Sequence, residues 1–121
     1  MTAKVNLAEK LASFDEHWVP KVVGELNGQY VKVAKFSGEY VWHHHENEDE
    51  LFLVVKGCMK IHLRDRTVEL GEGELFIVPR GVEHKPEAEY VEVVLFEPMS
   101  TRNTGSVDND YTIEADDLEK I

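Results

Sequence analysis

The chain has 121 residues, which is enough for one ordinary domain and too few for two independent hydrophobic cores. Hydrophobic residues make up 42% and charged residues 31%, a composition typical of a folded domain with a well-solvated surface. Acidic side chains outnumber basic ones by 24 to 13, and the net charge of −11 disfavours nucleic acid and anionic membrane surfaces as partners.

The N-terminal stretch and the single cysteine bear on the cellular location of the protein. Residues 1–11 include lysines and a glutamate where a signal peptide would be unbroken and apolar, and no apolar run approaches the roughly 20 residues that cross a bilayer. We therefore predict a soluble protein of the cytoplasm. Cys58 is the single cysteine, so an intrachain disulfide is excluded. Its place in an apolar strand pattern predicts a buried thiol and not a nucleophile.

The first predicted element is a short amphipathic helix over residues 6–18. Leu7, Leu11 and Phe14 follow one another at spacings of four and three, which places them on one helix face. After Pro20 the pattern changes to period two with β-branched residues. This change predicts a β-hairpin with strands over 21–25 and 29–36, joined by an Asn-Gly turn.

Short strands separated by turn residues follow the hairpin; we predict them over 50–56, 58–63, 67–70, 74–78 and 90–96. Many short strands with glycine punctuation favour an all-β sandwich or barrel. The last 23 residues carry six acidic side chains against two basic ones, and here 111–113 could add an edge strand and 114–120 one or two helical turns. We divide the chain into an N-terminal helical segment (1–18), a barrel (19–98) and an acidic C-terminal arm (99–121).

Four residues form a candidate metal site. Side chains at i and i+2 of a strand point to one face, so His43 and His45 project together. Glu50 opens the next apolar strand after a tight acidic turn, and His84 follows a Pro-x-Gly turn at the end of a later strand. Three imidazoles and one carboxylate suit a single divalent transition-metal ion, which could be Fe, Mn, Ni, Zn or Cu. Such a set leaves one or two coordination positions for water or substrate.

The spacing of these residues resembles the two sequence motifs of the cupins. The first motif is matched by Gly38, His43, His45, Glu50 and Gly57, and the second by Gly73, Pro79, Gly81 and His84. Gly38 precedes His43 by one residue fewer than is usual, and Ala88 occupies the position of the second motif's asparagine. The chain is also similar to small uncharacterised cupins described as mannose-6-phosphate isomerase-like.

This resemblance implies a fold, a cofactor and two classes of function. It implies an all-β, single-domain jelly-roll barrel, or double-stranded β-helix, that binds a metal ion and assembles as a homodimer. In one class, the barrel is a metal-dependent dioxygenase, isomerase or lyase acting on a small organic molecule, with Glu50 as a catalytic base. In the other class, the same site stores or senses a small ligand without catalysis.

Several neighbouring residues allow alternative interpretations. We interpret His44 as a histidine that points away from the metal, and we leave open that Glu46 replaces Glu50 as the carboxylate ligand. Tyr30, Trp42 and Phe52 are the candidates for the walls of a substrate pocket, because a small barrel has little other interior. Lys32 and Arg80 are the remaining candidates, since either could present a positive charge to an anionic substrate.

Overall fold

Strands dominate residues 3–121, which are the residues that the computed structural model describes. One short helix, α1, comes first at Leu7–Ala12. Seven strands follow: β1 Lys21–Leu26, β2 Gln29–Glu39, β3 Glu50–Gly57, β4 Met59–Leu63, β5 Thr67–Leu70, β6 Leu75–Val78 and β7 His84–Pro98. A single 3-10 turn at Ala115–Asp117 lies in the C-terminal arm.

The longest strand, β7, connects the two halves of the barrel. One edge of β7 pairs with β2 from Gln29↔Pro98 to Glu39↔Glu87. The other edge pairs with β4 near its beginning and with β3 further along, and every one of these pairings is antiparallel. The main path of the sheet is β1-β2-β7-β3-β6, and off this path β5 pairs with β4. The predicted all-β architecture is therefore confirmed.

Side-chain alternation divides the apolar residues between two clusters. Along β7, Val91, Val93 and Leu95 point into the barrel, whereas Val94 belongs to a second cluster on the outside of the sheet. Leu11 and Phe14 of the N-terminal segment cover this outer cluster. The hairpin of β1 and β2 is thus buried on both of its faces.

The N-terminal helix is shorter than predicted. It ends at Ala12 because both the backbone N–H and the hydroxyl of Ser13 bond to the carbonyl of Lys10, which closes the last turn. Phe14 still packs beside Leu11, although it lies beyond the helix. Within residues 3–121, no helix is long and apolar enough to cross a membrane.

Cys58 is exposed, so the prediction of a buried thiol is wrong. The next residue, Met59, takes the inward position at the start of β4 and is 2% exposed, and alternation therefore turns Cys58 outward. Gly57 ends β3 with φ +87°, and a Cβ on it would lie 2.6 Å from the carbonyl oxygen of Tyr90. This close approach explains the glycine at the end of the first motif.

The C-terminal arm returns to the beginning of the sheet. The backbone of Val22 accepts a hydrogen bond from Ile121 N and donates one to Glu119 O, at 2.9 and 2.8 Å. Residues 111–113 do not form a strand, and the 3-10 turn lies within the range predicted to be helical. Arm residues near the barrel are well packed, since Thr101 and Thr104 are fully buried.

Candidate metal centre

A two-residue β-bridge brings the two motifs together. His43 N donates to His84 O at 3.0 Å, and His84 N donates to His43 O at 2.9 Å. Directly opposed residues of this kind place their side chains on the same face of the sheet. The two imidazole rings consequently lie 4.3 Å apart between centroids, although the residues are far apart in the chain.

His45 and Glu50 complete the cluster. The carbonyl of His45 accepts a hydrogen bond from Gly81 N at 2.7 Å, which fixes the second histidine against the turn before His84. Glu50 begins β3, and its Oε1 lies 3.4 Å from Nε2 of His45 and 3.3 Å from Nε2 of His84. All four side chains are buried.

The spacing of the four side chains fits one metal ion. One candidate ligand atom from each of His43, His45, Glu50 and His84 lies within 4.8 Å of the others. Ligand atoms bound to one ion at about 2.0–2.2 Å can lie at most about 4.4 Å apart. The separations of the candidate ligand atoms therefore exceed this limit by at most about 0.4 Å.

Hydrogen bonds orient two of the imidazoles towards the centre. Nδ1 of His43 contacts Val41 O at 2.9 Å, and Nδ1 of His84 contacts Val82 O at 3.0 Å. A carbonyl that accepts from Nδ1 leaves Nε2 unprotonated, which is the tautomer that binds a metal. Both ring nitrogens of His45 are buried without a hydrogen-bond partner among the described residues, which is costly unless another group binds there.

The electrostatics of the cluster also match a ligand set. Burial and the neighbouring His84 lower the pKa of His43 to about 4, so this imidazole is neutral near pH 7. Burial raises the pKa of the Glu50 carboxyl, but its close contacts with the imidazoles of His45 and His84 outweigh burial and hold that pKa well below its usual range. The centre thus presents an ionised carboxylate beside neutral imidazole, as metal binding requires.

A narrow cavity opens beside the cluster. His43 and Glu50 line it together with aromatic residues and with Glu97 of β7. Trp18 stacks on Phe36 and Tyr40 at centroid distances of 4.3 and 4.6 Å, and these rings form one wall. The cavity is therefore apolar on one side and carries polar ligand atoms on the other, as small-molecule sites do.

Of the three aromatic residues predicted to line a pocket, only Phe52 lines this cavity. Trp42 alternates with His43 and so faces outward, where the Arg64 guanidinium lies 3.8 Å from its ring centroid. Tyr30 lies two residues before Lys32 on β2. The ammonium groups of Lys32 and Lys120 lie 5.9 and 5.6 Å from its ring centroid. Trp18 and Tyr40 take the places that we assigned to Trp42 and Tyr30.

The remaining candidates lie outside the cluster. His44 points away from it and forms a side-chain contact with Glu46, whose side chain is 74% exposed, so Glu46 does not replace Glu50 in this arrangement. Arg80 pairs with Asp49 at the surface. Lys32 is fully buried and forms an ion pair with Glu97, so its ammonium is not free at the surface.

Sequence reasoning missed Glu97 as a residue of the cavity. The signal was present, because Glu97 continues the inward series of Val93 and Leu95, and Lys32 is in phase with the buried Ala34 and Phe36. Two opposite charges on the apolar faces of neighbouring strands predict a buried pair.

The C-terminal arm lies directly against the cluster. Ser106 N donates to His44 O at 3.0 Å, and Asn103 Nδ2 donates to the hydroxyl of Tyr40 at 3.1 Å. A Cβ on Gly105 would lie 2.1 Å from His44 O and 3.1 Å from Nδ1 of His45. Glycine at this position, where φ is +55°, lets the arm pack against the second histidine.

Comparison with known proteins decides the family. Residues 30–96 match the model of the cupin domain family, and this stretch contains both motifs and all four candidate ligands. The chain belongs to the cupin domain family. It is similar to a solved cupin-2 domain protein of Shewanella frigidimarina, with 41% identity and a TM-score of 0.76 over 78% of this chain and 93% of that one.

The chain is also similar to two further proteins. Protein NMB1881 of Neisseria meningitidis is 32% identical, with a TM-score of 0.73 over 79% of this chain and 99% of that one. The uncharacterized protein YdbB of Bacillus subtilis is 38% identical over 73 residues, 60% of this chain. The match spans only 64% of YdbB. These similarities establish the cupin fold and leave the reaction open.

Replacing one candidate ligand, and separately a histidine outside the cluster, tests the assignment of the ligands. We expect His84→Ala to lower the metal affinity at least about tenfold, since even the supporting partners of metal ligands contribute that much. His44→Ala is the matched control and should retain metal, because its side chain points away. Metal content by mass spectrometry of the purified variants gives the measurement, with circular dichroism to verify folding. Equal metal content in the two variants would contradict the four-ligand assignment.

Protons should compete with the metal at His45. Burial lowers the pKa of His45, but the Glu50 carboxylate, whose Oε1 lies 3.4 Å from Nε2, and further carboxylates nearby together outweigh burial and leave the net pKa above the ordinary value of 6.5. A protonated imidazole cannot bind a metal. Affinity for Co²⁺ should therefore begin to fall above pH 6.5 as the pH is lowered, by about tenfold per pH unit for one proton. An affinity that stays constant to well below pH 6.5 in a titration followed by absorbance would contradict this.

Proposed function

We propose that the chain binds one divalent transition-metal ion through His43, His45, Glu50 and His84 and acts as a metal-dependent enzyme on a small organic molecule. The observation that carries the proposal is the convergence of four buried ligand atoms beside a cavity, with the nitrogens of His45 lacking a hydrogen-bond partner within residues 3–121. Buried polar atoms are nearly always satisfied in folded proteins. A bound ion would satisfy one of the two nitrogens of His45.

The geometry supports chemistry in which a substrate oxygen is polarised and a proton is moved. A divalent ion at this site would supply a Lewis acid for a carbonyl or enolate oxygen. Glu50 is the ionised carboxylate nearest to that position, and we assign to it the role of the base that accepts a substrate proton. Dioxygenase, isomerase and lyase reactions all use a step of this kind.

The walls of the cavity limit the size of the substrate. The free internal volume is about 20 Å³, which is room for about one water molecule. Asn103 of the C-terminal arm is part of this wall and is hydrogen-bonded to Tyr40. We infer that the substrate is small and that the contact between Tyr40 and Asn103 separates when it enters.

Metal content and turnover together test the enzymatic proposal. Protein purified without added metal should contain close to one transition-metal ion per chain. Assays of oxygen uptake and product formation with 1,3-diketones, catechols and sugar phosphates should show turnover of one class. Turnover should be lost in Glu50→Gln and kept in Glu46→Gln, because Glu46 is a solvated carboxylate outside the cluster. Tight ligand binding by the metal-loaded wild type without turnover would contradict an enzyme and favour a storage or sensing module.

We propose further that the protein is a homodimer formed through the outer face of its sheet. Leu75 and Ile77 of the edge strand β6 are 54% and 50% exposed, and Leu53 and Val55 of the adjacent β3 extend the same apolar face. Exposed apolar patches of this kind mark interaction surfaces.

Light scattering measures this assembly directly. The wild type should have the mass of two chains, and a Leu75→Glu/Ile77→Glu variant should have the mass of one, because two charges would be buried in the contact. A mass of one chain for the wild type at working concentration would contradict the dimer.

A further inference from the structure

An ion pair is buried within the barrel next to the candidate metal centre. Lys32 Nζ of β2 lies 2.7 Å from Glu97 Oε1 of β7, and the two side chains are 1% and 2% exposed. Lys32 is in register with Leu95, two residues from Glu97, so the pair is a diagonal contact on the inner face of the sheet. Its position is therefore fixed by the β2–β7 ladder.

Only one oxygen of Glu97 is used by this pair. Oε1 contacts Lys32, whereas Oε2 is buried and has no hydrogen-bond partner among the described residues. Glu97 lines the same cavity as His43 and Glu50. Since Lys32 holds Oε1, Oε2 is the oxygen that is left for a molecule entering the cavity.

The surroundings of Glu97 make an unsatisfied oxygen costly. The Glu97 side chain is 2% exposed, and burying a polar atom without a hydrogen bond costs free energy. A structural ion pair alone would not require the second oxygen to face a cavity, because well-packed apolar residues fill such positions at little or no cost in stability. The free oxygen beside the candidate metal centre points to a role in ligand recognition.

We propose that Glu97, held in place by Lys32, determines specificity by hydrogen-bonding a hydroxyl group of the ligand bound at the metal. A hydroxyl both donates and accepts, so it satisfies Oε2 whether or not Glu97 carries a proton. A ligand with hydrogen in place of that hydroxyl would leave Oε2 unpaired. Sites built to bond a hydroxyl reject the analogue that lacks it far more strongly than apolar pockets discriminate by size.

This inference rests on the proposed metal site, and it narrows the ligand class to small hydroxylated molecules. Glycolate and acetate are suitable probes, because they share a carboxylate for the metal and differ by one hydroxyl. Binding of each acid to the Co²⁺-loaded protein can be followed by the visible absorbance of the ion. The readout is the ratio of the two affinities in each variant, which cancels the intrinsic preference of the metal.

Two variants distinguish recognition of the hydroxyl by Glu97 from a purely structural role of the ion pair. Lys32→Met/Glu97→Leu removes both charges together, so that neither is left buried and unpaired. Glu97→Gln keeps a group that donates and accepts. We expect the glycolate-to-acetate ratio to be at least about tenfold higher in the wild type than in the double variant, since tenfold corresponds to one satisfied buried group. The Glu97→Gln protein should retain most of this preference.

Two outcomes would overturn the proposal. An equal ratio in the wild type and in the folded double variant would show that Glu97 does not recognise the hydroxyl, and failure of the Co²⁺-loaded wild type to bind either acid would show the same. If the double variant does not fold, an unchanged ratio in Glu97→Ala would overturn the proposal equally. A wild type that binds no Co²⁺ would refute the metal site itself, and the Co²⁺ titration made before any acid is added distinguishes that failure.

Discussion

The mutual hydrogen bonds between the backbones of His43 and His84, at 3.0 and 2.9 Å, are the constraint on which the candidate site depends. They join the loop before β3 to the first residue of β7, and they force the two imidazoles onto one face. The rest follows from this register. The N–H of Gly81 donates a hydrogen bond to the carbonyl of His45 and so fixes the backbone that carries the third imidazole. Strand β3 begins at Glu50, whose Oε1 lies 3.4 and 3.3 Å from Nε2 of His45 and of His84. A slip of one residue would turn the ligands outward.

Two different sets of residues are buried in the interior of the barrel, one apolar and one polar. Most inward residues of β3, β4 and β7 are aliphatic or aromatic and form an apolar core. At the cluster, the buried residues are Lys32 of β2, Glu50 of β3, Glu97 of β7 and three histidines. Burying so many polar groups costs free energy, and within the described residues two nitrogens of His45 and one oxygen of Glu97 have no hydrogen-bond partner. Natural proteins accept such local costs where a site requires them.

The sequence allowed the strands and the cluster of candidate ligands to be predicted because both depend on local periodicity. Alternation in 43–45 assigns His43 and His45 to one face, and the same rule should have turned Trp42 outward, where it contacts Arg64. The length of α1 could not be predicted, because a cap at Ser13 ended a pattern that continued to Phe14. The aromatic wall could not be predicted either. Trp18 has φ +63° and reaches Tyr40 through tertiary packing that no periodicity encodes.

X-ray absorption spectroscopy of the Co²⁺-loaded protein counts the ligands of the ion. We predict a shell of nitrogen and oxygen atoms at about 2.0–2.2 Å. The outer-shell scattering should be that of three imidazoles. A shell with one imidazole or none, or one containing the sulfur of Cys58, would contradict the convergence of His43, His45 and His84 on a single ion.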